Sequence, residues 1–207
     1  MSFPPIYYIN LDKRSDRKEH FERQIEMLGI SGLNVTRISG VDKPGFGPLG
    51  CGLSHCKALE AFIESGASEC IIFEDDFTFR PDKVEFCKKA IRAIVGAGDK
   101  AKYDVVMLAA NTREEYPTKF PYLTRIKFAF TASGYLIKKE FAPVLLQNFR
   151  EACEGLERTG HVTPQYCIDV YWKKLQQEKI FYGLNPLVGF QYANYSDNEM
   201  KFVDYKV

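Results

Sequence analysis

Three consecutive carboxylates, Glu74-Asp75-Asp76, follow directly on the apolar run Cys70-Ile71-Ile72-Phe73, and apolar residues resume at Phe77 and Phe79. Acids crowded in this way repel one another and need either open water or a cation. In an extended chain Glu74 and Asp76 project to one face and Asp75 to the other. Glu74-x-Asp76 therefore offers oxygens to one side, which suits a hard divalent cation such as Mg²⁺ or Mn²⁺. The plainer alternative is an acidic loop tip that solvates itself.

Two further stretches carry candidate chemistry. Asn10-Leu11-Asp12-Lys13-Arg14-Ser15-Asp16-Arg17 places two arginines at a turn that enters a helix, and guanidinium groups and helix N-termini both favour phosphate. Pairing of Arg14 and Arg17 with Asp12, Asp16 or solvent is the competing explanation. Gly50-Cys51-Gly52-Leu53-Ser54-His55 looks like a glycine-rich turn before a helix. Its amides, with Ser54 or His55, could meet an anion; otherwise Ser54 or Gly52 caps the helix and His55 is a partly buried polar residue.

These groups need elements to hold them. Cys70–Phe73 has the unbroken apolar character of a strand buried on both faces, and open α/β sheets bind ligands just beyond the carboxyl ends of their strands. Pro5–Leu11 predicts a first strand. A helix follows from an N-cap at Ser15, with Phe21, Ile25 and Leu28 at helical spacing and Gly29 to end it. Asn34–Ile38 completes a βαβ opening with parallel strands. Further helices are expected at Leu53–Glu64, after Pro81-Asp82, from Phe141 and around Ile168–Leu175. Further strands are expected at Asp104–Leu108, Ile126–Phe130, Tyr135–Ile137, Ile180–Tyr182 and Val188–Gln191. Ala109–Thr124 reads as a long polar loop. The alternation predicts one doubly wound α/β domain over residues 1–207.

Composition narrows the field. Lys+Arg 28 against Asp+Glu 27 gives a net charge of +1 and no basic surplus for a nucleic-acid partner. The six cysteines show no C-x-x-C spacing. No signal-peptide or transmembrane pattern is visible, which predicts a reduced, soluble, cytoplasmic protein, with peripheral membrane contact and a larger parent polypeptide left open.

The ordered set Ile9-Asn10-Leu11-x-x-Arg14-x-x-Arg17, Gly50-Cys51-x-Leu53-Ser54-His55, Ile72-Phe73-Glu74-Asp75-Asp76, Gly134-Tyr135-Leu136-Ile137, Ile168-Asp169-Val170 and Ser196-Asp197 resembles glycosyltransferase family 25. That family includes lipooligosaccharide and procollagen galactosyltransferases. The resemblance implies a GT-A type, Rossmann-like fold with a mostly parallel central sheet and flanking helices. It implies inverting, metal-dependent transfer of galactose or glucose from a UDP-sugar to a hydroxyl of a glycan or glycoprotein acceptor, such as hydroxylysine.

By the same resemblance Asn10, Leu11, Arg14 and Arg17 line the nucleotide pocket, joined by Asp42. Asp76 is the favoured Mn²⁺ or Mg²⁺ ligand, with Glu74 beside it and Asp75 facing ribose or sugar. Ala132, Ser133 and Gly134 flank the sugar, and Gln191, Ser196 and Asp197 close over the diphosphate. A hydroxyl nucleophile needs a carboxylate base. Asp169 is the candidate, against the alternative of a helix N-terminal acid; Asp197 is the second base or an acceptor contact. Two other functions fit the same residues: a non-catalytic nucleotide-sugar or glycan-binding module, and a sugar nucleotidyltransferase. The lack of a Lys-bearing, Gly-rich loop after the first strand speaks against the latter.

Overall fold

A computed structural model describes residues 3–30, 32–196 and 201–203, with the side chains of residue 99, 194–196 and 201–203 left undescribed. An eight-stranded mixed sheet runs in the order β2-β1-β3-β8-β5-β9-β7-β6. Its strands are β1 (Ile6–Asn10), β2 (Val35–Ser39), β3 (Glu69–Glu74), β5 (Val105–Met107), β6 (Asn111–Pro117), β7 (Leu123–Phe130), β8 (Gly134–Lys138) and β9 (Phe181–Leu184). Two short pairs lie outside it, β4 (Phe77–Phe79) with β10 (Gly189–Gln191) and β11 (Asn194–Ser196) with β12 (Lys201–Val203). β1 pairs in parallel with both β2 and β3, so the βαβ opening is present as expected. Only β7 and β8 run against the other strands of the large sheet, each antiparallel to its neighbours.

The helices are α1 (Ser15–Met27), α2 (Gly47–Ser65), α3 (Val84–Gly96), α4 (Ala142–Thr159), α5 (Ile168–Tyr171) and α6 (Lys173–Glu178). Side chains alternate across a strand, and β3 shows the result. Cys70 and Ile72 enter one core with Leu59 and Phe62 of α2 and Phe149 of α4. Ile71 and Phe73 enter the other with Phe21 of α1 and Ile91 of α3. Both faces are covered, and for that reason β3 lacks any polar alternation.

Four expectations are corrected. Ser15 is the first helical residue of α1, and Arg14 takes the cap position without a side-chain bond. α2 starts at Gly47, so Gly50–His55 lies inside a helix and its amides serve helical bonds. The glycines there answer to packing. A Cβ on Gly50 would lie 2.4 Å from the Val41 carbonyl oxygen, and one on Gly52 2.6 Å from Cys153 Sγ. The stretch after Ala109 is not a loop: Asn111–Pro117 is β6, an exposed edge strand paired with β7 through an irregular register. The helix around Ile168–Leu175 is two short ones meeting at Trp172.

Candidate active site

β3 ends at Glu74 and the chain turns at Asp75-Asp76 into β4, which puts the three acids at the carboxyl edge of the sheet beside the end of β1. Asn10, the last residue of β1, is nearly fully buried and serves as a hub. Its Nδ2 donates to Asp75 Oδ2 at 2.7 Å and to the Arg14 carbonyl at 2.9 Å. Its Oδ1 accepts from Arg37 Nε at 2.9 Å. Arg37 also donates to Asp12, which accepts from Ser39 as well, so β2 braces the turn after β1.

Arg17, on the first turns of α1, reaches back over the acids, with Nη1 3.0 Å from Asp75 Oδ1 and 3.4 Å from Asp76 Oδ2. Gln191, at the end of β10, donates from Nε2 to Glu74 Oε2 at 3.1 Å and to Asp76 Oδ1 at 3.2 Å. Glu74 and Asp76 thus share a partner on one side. Glu74 Oε1 meets His55 Nε2 at 3.1 Å and accepts from Cys51 Sγ at 3.5 Å. The Glu74 amide donates to the Ser133 carbonyl, and the Tyr192 amide donates to the Asp76 carbonyl, so backbone bonds hold the acids from both flanks.

The electrostatics reflect crowding. Burial, then the charge of Glu74, pushes the Asp76 carboxyl up to about 7 even with Arg17 beside it. Burial also raises Asp75, against the pull of Arg17 and Asn10. Glu74 moves down, because the His55 and Cys51 bonds and Arg17 overcome its burial. A buried acid left neutral in preference to charged marks a place where positive charge is in short supply. The donors on the shared side are carboxylate oxygens, the ligands that Mg²⁺ and Mn²⁺ prefer, and an amide N–H dipole already lies between them. Glu74 and Asp76 therefore fit a hard divalent cation.

A cleft opens over these groups, walled by Asn10, Leu11, Arg14, Arg17, Asp42 and the three acids, with Ser54, His55 and Gln191 also lining it. Arg14 forms a two-point bond with Asp16 at its rim, and Asp42 pairs with Lys13 at 2.8 Å. Ser54 is buried in a structural clamp, donating to the Gly50 carbonyl and accepting from the Val41 amide. A second pocket, floored by Asp169, adjoins the first and shares Cys51, Glu74 and Gln191 with it. Asp169 is the second residue of α5, and its Oδ2 accepts from the Thr131 amide at 3.4 Å. Burial, and less strongly the charge of Glu74, raises its carboxyl above the ordinary range. Thr131 holds φ at 80°, a costly conformation for a β-branched residue and one that marks a tightly specified corner.

Not every expected residue reaches the cleft. Ser133 is fully buried, with no partner for its hydroxyl among the described residues. Gly134 presses on the Phe77 ring, where a Cβ would approach to 2.6 Å. Neither lines the cleft; of the three expected beside the sugar only Ala132 lines a pocket, with Thr131 and Asp169. Ser196 falls in β11 with its side chain undescribed, and Asp197 lies outside the described residues. Arg37 has no place among the expected site residues, and Tyr135 stands among them only as part of the strand motif Gly134-Tyr135-Leu136-Ile137, without a role. Their signals are a charged residue within the half-buried Val35-Thr36-Arg37-Ile38, and a hydroxyl inside an apolar strand.

A model of glycosyltransferase family 25 (LPS biosynthesis protein) matches residues 45–157, from the loop before α2 almost to the end of α4 and more than half of the chain. The chain is 27% identical over 177 residues to "Probable inactive glycosyltransferase 25 family member 3" of Bos taurus, covering 70% of this chain and 29% of that protein. It is 24% identical over 178 residues to procollagen galactosyltransferase 2 of Homo sapiens, covering 70% and 28%. The chain spans less than a third of the length of the curated relatives it matches. Among solved structures, A197 from STIV shares its fold with a TM-score of 0.52 at 14% identity, over 97% of this chain and 93% of that one.

Proposed function

The chain belongs to glycosyltransferase family 25, and from that premise we propose that it transfers a hexose, galactose or glucose, from a UDP-sugar to a hydroxyl of a glycan or glycoprotein acceptor with inversion at the anomeric carbon. The observation that carries this reading is the adjacency of two pockets. One joins arginines to a buried acid cluster, and the other is floored by a buried carboxylate, with Cys51, Glu74 and Gln191 forming the shared wall. A nucleotide sugar seated with its diphosphate over the acids would point its sugar across that wall.

Each group then has a task. Asn10, Leu11 and Asp42 take the nucleoside, while Arg14 and the start of α1 face the diphosphate. Arg17 neutralises Asp75 and Asp76, which keeps the acids from repelling the donor. Glu74 and Asp76 hold Mn²⁺ or Mg²⁺, and the ion when bound supplies charge stabilisation to the leaving diphosphate. Asp169 takes the proton of the acceptor hydroxyl. The Thr131 amide fixes which oxygen faces inward, and burial makes the carboxylate more basic than a free one. Asp197 stays a second base or acceptor contact in this proposal, and Ser196 a diphosphate contact.

Calorimetry with UDP-galactose and UDP-glucose, with and without Mn²⁺, on the wild type and Asp76→Asn, tests the reading. Donor binding that strengthens with Mn²⁺ and is lost in the variant is expected. Binding to neither donor, or binding indifferent to metal and variant alike, refutes it. A second reading, a domain that holds nucleotide sugar without turnover, is favoured by the Bos taurus relative's name. It would show donor binding with neither transfer to any acceptor nor slow release of UDP.

A further inference from the structure

Cys51 and His55 sit one turn apart on α2, at positions i and i+4, and so present their side chains on one face. Both point to the end of β3. His55 Nε2 lies 3.1 Å, and Cys51 Sγ 3.5 Å, from the same oxygen, Glu74 Oε1. One ligand atom from each of the three residues falls within 4.8 Å of the others. We propose that Cys51, His55 and Glu74 form a second cation site, selective for a softer ion than the acid pair and suited to Zn²⁺.

The donor set decides the ion. A thiolate, an imidazole nitrogen and a carboxylate oxygen are the ligands that Zn²⁺ accepts in four-coordinate sites, whereas Mg²⁺ and Mn²⁺ favour oxygen throughout. Three protein ligands leave one position of a four-coordinate ion for water, and all three residues line the cleft, which gives the ion an entry path. On binding, Cys51 releases its proton to solvent and its sulfur bonds to the metal.

The surroundings of His55 match what a metal-bound imidazole needs. Its Nδ1 is 3.1 Å from the Tyr135 hydroxyl, a partner that orients the ring. A hydroxyl both donates and accepts. With an ion present, Nδ1–H donates to Tyr135 and Nε2 faces the metal. Without one, Nε2–H donates to Glu74 and the Tyr135 hydroxyl turns to donate to Nδ1. The ring is fully buried, stacked on Tyr135 and edge-on to Phe149, so its aim is fixed in either case.

One consequence rests on the transferase reading. Zn²⁺ at this site would engage Glu74, which is shared with Asp76 through Gln191, and so would weaken Mn²⁺-supported donor binding. The site itself is tested without donor. Co²⁺, a coloured stand-in for Zn²⁺, is titrated into the full chain in nucleotide-free buffer. The expected result is a thiolate-to-cobalt charge-transfer band, with the strong visible absorption of a four-coordinate ion, displaced by one equivalent of Zn²⁺. Cys51→Ser should abolish the band. Cys167→Ser, in the adjoining pocket, and Asp76→Asn should keep it. Tyr135→Phe should weaken Co²⁺ binding by about 10–100-fold, as the loss of an orienting partner does. No thiolate band in the wild type, or a band that persists in Cys51→Ser, overturns the proposal. Donor calorimetry is read separately, so failure of this site and failure of the transferase reading are distinguishable.

Discussion

Replacing Asp76 by Asn should stabilise the metal-free protein at pH 8 while abolishing metal-dependent donor binding. Burial and the neighbouring Glu74 lift this carboxyl from 3.8 to about 7. Below pH 3.8 it is protonated in both folded and unfolded chains and contributes nothing. Between pH 3.8 and about 7 the unfolded chain ionises first, so stability falls as the pH rises through that window and stays lower above it. A lift of about 3 pH units sets a ceiling of about 4 kcal/mol at pH 8. Asn escapes that cost but gives up the Arg17 contact at 3.4 Å, while Arg17 keeps Asp75 at 3.0 Å and Gln191 keeps an oxygen acceptor. Allowing about 1 kcal/mol for that loss leaves a net gain of about 2–3 kcal/mol. In a chain of this size the melting temperature should rise by about 4–12 °C. Thermal melts of both proteins in EDTA from pH 4 to pH 8.5 measure it, and the gain should vanish by pH 4. Mn²⁺ with UDP-sugar should reverse the order by stabilising only the wild type. A variant less stable than the wild type at pH 8 in EDTA, or a gain equal at pH 4 and pH 8, refutes the reasoning.

Asp169→Asn should lower kcat by about 10²–10⁴-fold with donor affinity intact in calorimetry. Because burial raises Asp169, wild-type kcat should climb with pH through an apparent pKa above that of a free aspartate; a profile flat from pH 4 upward would exclude it as the base. Gly50→Ala drives a Cβ to 2.4 Å from the Val41 carbonyl oxygen and should cost about 2 kcal/mol in urea unfolding, with weaker donor binding because Val41–Lys43 lines the cleft. Gln176→Leu removes both bonds that its amide makes with the Ala129 backbone, at 2.9 and 3.0 Å in a fully buried position, and should cost about 2–4 kcal/mol by the same assay.

The strand that carries the acids was legible because its apolar run is too short for a buried helix, is rich in Ile and Phe, and suits a strand covered on both faces. The start of α2 was not. Gly47, Pro48, Gly50 and Gly52 look like a loop by intrinsic preference, yet the Val41 carbonyl and Cys153 leave no room for larger side chains, and tertiary packing overrode propensity. β6 was hidden for a different reason. Glu114-Glu115-Tyr116-Pro117 is exposed and bulged, and the hydrogen bonds that make it a strand come from β7. Around the acids, charge type and spacing marked Glu74, Asp75 and Asp76 as one candidate cluster and Arg14 and Arg17 as another, and only the family resemblance joined the two. The Cys51–His55–Glu74 convergence could not be seen, because it depends on α2 being helical through Cys51 and on the register of α2 against β3.

Gln191 ties the acids to a segment far along the chain, 115 and 117 positions after the two carboxylates it bridges. On a ribosome adding roughly 5–20 residues per second, Glu74 and Asp76 emerge roughly 6–23 seconds before their shared amide. Over that interval the nascent chain carries the acids without the strand pairing of β10 on β4 that positions Gln191. The cleft is therefore among the last parts of the sheet edge to be finished.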